Sequence, residues 1–70
     1  MIFHPRIGQA VRLHYAVAKR ALTRLHGMDA TVRMVAHGHR HGPQNVLVAY
    51  HDGASERFVV VPRGQLRAVR

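Results

Sequence analysis

The segment from Asp52 to Arg70 constrains the fold of this chain most. Asp52-Gly53 opens a polar turn, Phe58 to Val61 is an unbroken apolar run, Pro62-Arg63-Gly64-Gln65 interrupts it, and Leu66-Arg67-Ala68-Val69 resumes. Proline fixes φ and lacks the N–H that a strand ladder needs, while glycine permits a sharp reversal. A strand therefore rises from a hairpin, stops at Pro62, turns once and starts again in a new direction. The architecture expected is one of short, tightly connected antiparallel strands.

The upstream sequence fits that expectation. After a short lead containing Pro5, Gly8 opens a strand in which Val11, Leu13 and Tyr15 point one way and Arg12 and His14 the other. This period-two alternation describes a half-buried strand over residues 10–15. The period changes over 16–25, where Ala18, Leu22 and Leu25 fall at i, i+4 and i+7, with Lys19, Arg20, Thr23 and Arg24 opposite. That spacing predicts a short amphipathic helix or helical turn, ended by Gly27. Alternation returns at Ala30: Ala30, Val32, Met34 and Ala36 share one face, and Thr31, Arg33 and Val35 the other. Residues 37–44 read as a loop, broken by Gly38, Gly42 and Pro43. A third strand over 45–51 is apolar on both faces (Val46, Val48 and Tyr50; Leu47 and Ala49), which predicts an interior position. Strands over 56–61 and 66–69 follow the Asp52–Ser55 hairpin turn and the 62–65 break.

The resulting order resembles the SH3-like barrel. The expected fold is thus mainly β, a five-stranded SH3-like barrel with a short helix in its first long loop, formed by residues 1–70 as a single domain. A narrower likeness lies at His26-Gly27-Met28-Asp29-Ala30-Thr31-Val32, which resembles the glycine turn and apolar strand of KOW-type barrels in ribosomal and transcription-associated proteins. Those families have a second glycine at the place of Ala30 and often a basic residue near Met28; Leu66-Arg67 matches their terminal leucine and basic residue. The resemblance implies RNA or ribosomal partners.

Seventy residues bury a thin core. Val35, Leu47, Val59 and Val61 are short of cover in a lone barrel, so a homo-oligomer is expected. The absence of cysteine excludes disulfides and thiolate metal sites and suits the cytoplasm. No apolar stretch reaches the length of a signal-peptide core or membrane span, so a soluble protein is expected.

The charge points to a partner. Lys and Arg total 11 against 3 Asp and Glu, and every basic residue except Lys19 is arginine. A field of this sign attracts polyanions, and guanidinium suits phosphate. The function expected is a small basic module contacting nucleic acid, RNA or DNA, mainly through the phosphate backbone. Its candidate contacts are Arg12, Lys19, Arg20, Arg24, Arg33, Arg40, Arg63, Arg67 and Arg70. A solvated basic rim is the competing reading of the same residues. Tyr15 and Tyr50 lie on apolar strand faces and read as core rather than as base-stacking platforms. The alternative function is a protein-interaction or structural oligomeric module, of mobile-element or phage origin, with no nucleic-acid role.

Metal binding and catalysis each have candidate side chains in the sequence. His37, His39 and His41 alternate in a loop, with His51 or His26 available as a fourth imidazole. Two glycines in that loop and the lack of thiolates argue against a built metal site, so neither metal nor cofactor is expected. Asp29, Asp52 and Glu56 are the only carboxylates of side chains, and nothing pairs a nucleophile with a base and an orienting acid. An enzyme is not expected.

Overall fold

The computed structural model describes residues 2, 4–36 and 44–69. Five strands follow in order: β1 (Ala10–Leu13), β2 (Asp29–Val35), β3 (Asn45–Asp52), β4 (Ser55–Pro62) and β5 (Leu66–Ala68). A 3-10 helix (Val17–Leu22) lies between β1 and β2, and a second one (Arg63–Gln65) joins β4 to β5. The strands form one antiparallel sheet in the order β4-β3-β2-β1-β5.

All five strands feed one core. Val11 and Leu13 of β1, Ala30 and Val32 of β2, Val46 and Val48 of β3, Val61 of β4 and Leu66 of β5 form a single buried cluster. Leu13 and Leu66 have no exposed surface at all. One flat sheet cannot bury its own face, so this sheet curls until both edges serve the same core. β4 and β5 are the open edges of that curled sheet, bridged by the second 3-10 helix. Among the described residues, no helix is long and apolar enough to cross a membrane.

Local chemistry accounts for the turns. Asp52 pairs with Ser55, leaving Gly53 and Ala54 as a two-residue hairpin loop. Gly53 has φ +64, the left-handed region a hairpin of this length requires at its first loop position. Pro62 ends β4, an edge strand, where a missing N–H leaves no ladder bond unmade.

Three expectations are corrected. First, the short helical element expected over residues 16–25 is present, but it is a helical turn with no apolar face docked on the core, not an amphipathic helix. The observed element is a 3-10 helix with no buried residue; Lys19 N–H donates to the Ala16 carbonyl at 2.8 Å. Val17 is 76% and Leu22 86% exposed, while Leu25, beyond the helix, packs against the core. The strands have already filled the interior, and a helix this short has no apolar face to dock. Gly27 is not its cap. Its φ of +82 turns the chain into β2, and its N–H donates to the Leu13 carbonyl at 2.8 Å.

Second, β1 ends at Leu13 and not at Tyr15. Tyr15 N–H donates to the Nδ1 of His26 at 2.9 Å, so a side chain takes the ladder bond that would have continued the strand. Third, the alternation of β2 breaks. Val32 pairs with Val48 and Met34 with Leu47, so Arg33 is an extra residue, a β-bulge. Beyond it the faces exchange: Val35 packs against the core and Met34 is 59% exposed.

Candidate functional site

The pairing of β1 with β5 sets Arg12 directly opposite Arg67. Leu13 and Leu66, the next pair in the register, point into the core, so the two arginines project from the other face. Like charges placed opposite each other across an antiparallel pair repel. Arg12 is relieved from its other side: its Nε donates to Asp29 Oδ1 at 3.0 Å, across the β1–β2 pairing. Arg67 has a different arrangement. Its Nη1 donates to the Gly64 carbonyl at 2.7 Å and the Leu66 carbonyl at 3.1 Å. Backbone carbonyls hold the guanidinium without neutralising it.

Arg20 is held the same way, Nε donating to the Tyr15 carbonyl at 2.9 Å. That bond ties the exposed 3-10 helix to the segment just after β1. Two histidines complete the corner. The rings of His14 and His26 meet edge to face, with centroids 5.2 Å apart. Because His26 Nδ1 accepts from the Tyr15 N–H, the neutral ring carries its proton on Nε2 and offers a donor there. The His14 N–H donates to the Gln65 carbonyl at 2.8 Å, which fixes this residue against the second 3-10 helix.

The electrostatics of the corner register on His14. Its imidazole is held below the ordinary histidine value by burial first, then by the Arg67 guanidinium, the neighbouring His26 ring and the Arg20 guanidinium. Four cationic or titratable groups thus converge from four segments of chain. The Arg12–Asp29 ion pair borders this corner, while that of Arg57 with Asp52 lies away from it, at the β3–β4 hairpin.

The remaining candidates are dispersed. Lys19 is exposed on the first 3-10 helix, next to Arg20. Arg24 lines a cleft of about 390 Å³ with Leu25, Met28, Tyr50 and Asp52. Arg33, at the bulge, borders a shallow depression shared with Asp29, His51 and Glu56. Arg63 is half-buried in the second 3-10 helix. Arg40 and Arg70 lie outside the described residues, as do His37, His39 and His41. Among the described residues, no three histidine or carboxylate side chains gather to hold a metal. Tyr15 and Tyr50 are partly buried and packed against the core.

Sequence reasoning missed His14 and did not connect His26 to the arginines. His14 reads as an outward residue on a strand. The available signal was its position two residues before a segment rich in basic side chains, with β1 expected to lie near the last strand.

No protein-family model, curated protein or solved structure matches the chain.

Proposed function

We propose that this protein is a small basic binding module, not an enzyme, that contacts nucleic acid in the cytoplasm through the phosphate backbone. The observation that carries this reading is the corner at β1 and β5. Arg67 and Arg20 are fixed by backbone carbonyls rather than by carboxylates, and Arg67 faces Arg12 across the sheet. A pre-positioned, un-neutralised guanidinium loses little side-chain freedom when a phosphate oxygen arrives, and the polyanion relieves the repulsion between like charges. Such contacts fix register on a nucleic acid and carry little base specificity. An SH3-like, KOW-related barrel is the scaffold we infer. The strand order and the single core shared by all five strands support it.

The test is a titration of labelled RNA and duplex DNA at several salt concentrations. Log affinity is expected to fall linearly with log salt, with a slope near ~0.9 per phosphate neutralised on duplex DNA. Arg20→Gln and Arg67→Gln should each weaken binding and lower that slope by about 1. Binding that ignores both substitutions overturns the reading.

One observation favours a second reading, self-association. Met34, Leu47 and Val60 line up across β2, β3 and β4 by register, and Phe58 sits opposite Ala49 beside them. Phe58 is 52% and Val60 58% exposed, on the eight-residue edge strand β4. An apolar edge of this kind pairs readily with a second copy. Sedimentation at increasing protein concentration should then show a dimer that Val60→Lys disperses. A strict monomer removes this reading.

A further inference from the structure

We propose that His14, Arg20, His26 and Arg67 form a phosphate seat whose occupation is coupled to proton uptake by His14. The proposal rests on the nucleic-acid reading above and adds to it the seat and its regulation by pH.

The geometry supplies the donors. Arg20 and Arg67 each spend one N–H on a backbone carbonyl, or in Arg67 one nitrogen on two, which orients the guanidinium and leaves its other N–H groups unspent on these bonds. His26 has its Nδ1 occupied by a backbone N–H, so the donor its neutral ring offers is Nε2–H. His14 packs edge-on against that ring. Two elements bring fixed positive charge to His14, the first 3-10 helix through Arg20 and β5 through Arg67, while the turn before β2 sets the His26 ring against it. Tyr15, the next residue, is itself tied to His26 through its backbone.

In the free protein this surrounding field and partial burial disfavour the charged imidazole, so His14 is neutral near pH 7. A phosphate oxygen set among these groups reverses the balance. It cancels the positive field and accepts a hydrogen bond from the imidazolium, and both effects favour the charged ring. The complex then binds more protons than its separate parts over the interval between the two pKa values. Affinity must rise as pH falls through that interval, by at most about tenfold per pH unit for one proton. The corner acts as a proton-linked latch, tighter in mild acid.

Two measurements test it with a labelled single-stranded oligonucleotide as the probe. The first follows the His14 imidazole by proton NMR against pH, with and without the oligonucleotide, and again with inorganic sulfate, an anion that does not titrate in this range. The His14 midpoint is expected to move up with either anion. The second compares oligonucleotide affinity at pH 7.5 and pH 5.5 for the native protein and His14→Gln. The histidines outside the seat add to both proteins alike, so the native gain should exceed the variant's by roughly threefold or more, within the linkage limit. Oligonucleotide binding with an unmoved His14 midpoint overturns the seat and leaves the nucleic-acid reading standing. A midpoint that moves with sulfate while the oligonucleotide fails to bind upholds the seat and overturns nucleic acid as its ligand. No movement with sulfate and no oligonucleotide binding overturns both. The NMR arm uses the native chain, so the outcome does not depend on the variant folding.

Discussion

His14 carries a cost that only the folded chain bears. Its pKa is lowered on folding, from an ordinary value near 6.5, by burial and by the neighbouring Arg67, His26 and Arg20 side chains. The unfolded chain therefore binds this proton more readily, and stability rises with pH wherever that difference applies. The contribution is complete above about pH 6.5, is lost as pH falls from there towards the folded value, and levels off below it. Denaturant midpoints measured at pH 8 and pH 5 should show a smaller drop for His14→Gln than for the native chain; equal drops would refute this account. Leu66 poses the opposite case, since it is fully buried although it begins a three-residue edge strand. Leu66→Ala should cost about 2–5 kcal/mol, read from urea unfolding, because it empties a site that all the strands share. A cost well under that range would mean the edge closes over the gap.

At the level of elements, exposed and core leucines separate cleanly. Leu22 lies on a 3-10 helix that buries nothing, whereas Leu25 packs on the core. Leu22→Gln should change stability by less than ~0.5 kcal/mol, as surface changes do, while Leu25→Gln should be clearly destabilising. Similar losses for both would restore a docked amphipathic helix. The strands themselves were legible in the sequence, because two-fold alternation and the Gly53 and Pro62 signals act over only a few residues. The misread parts depend on distant chain. Ala18, Leu22 and Leu25 have helical spacing, but a helix needs a vacancy in the core, and spacing does not reveal one. The bulge at Arg33 is set by how far the sheet must bend, and Val35 reached the core only through it. The basic corner was half legible: Arg12, Arg20 and Arg67 stand out as charges, but His14 and His26 join them only through the Tyr15 hydrogen bond and the ring contact.

For the molecule as a whole, the net charge of +8 opposes compaction. Among the described residues, the ion pairs Arg12–Asp29 and Arg57–Asp52 occupy two of the three acidic side chains, and both are largely exposed and worth little. Raising salt from 0.01 to 0.15 M shortens the screening length from ~30 to ~8 Å and should raise the melting temperature. Each ~1 kcal/mol of repulsion removed is worth ~4–8 °C in a domain of this size. A fall in melting temperature with salt would show that the ion pairs outweigh the repulsion.

The pairing of β1 with β5 also has a kinetic consequence. β2, β3 and β4 follow one another in the chain and pair as neighbours, whereas β1 and β5 come from opposite ends of the sequence. Closing a long loop has to precede the contacts that reward it, so this pairing is expected to form late in folding. Conservative substitutions in β5 should then show φ-values near zero, and values near one would place its formation early. The basic corner does not exist until that last strand arrives. A polyanion meeting a partly folded chain would find scattered charge, and one meeting the finished chain would find the proposed seat, so binding there would distinguish chains that have completed folding from those that have not.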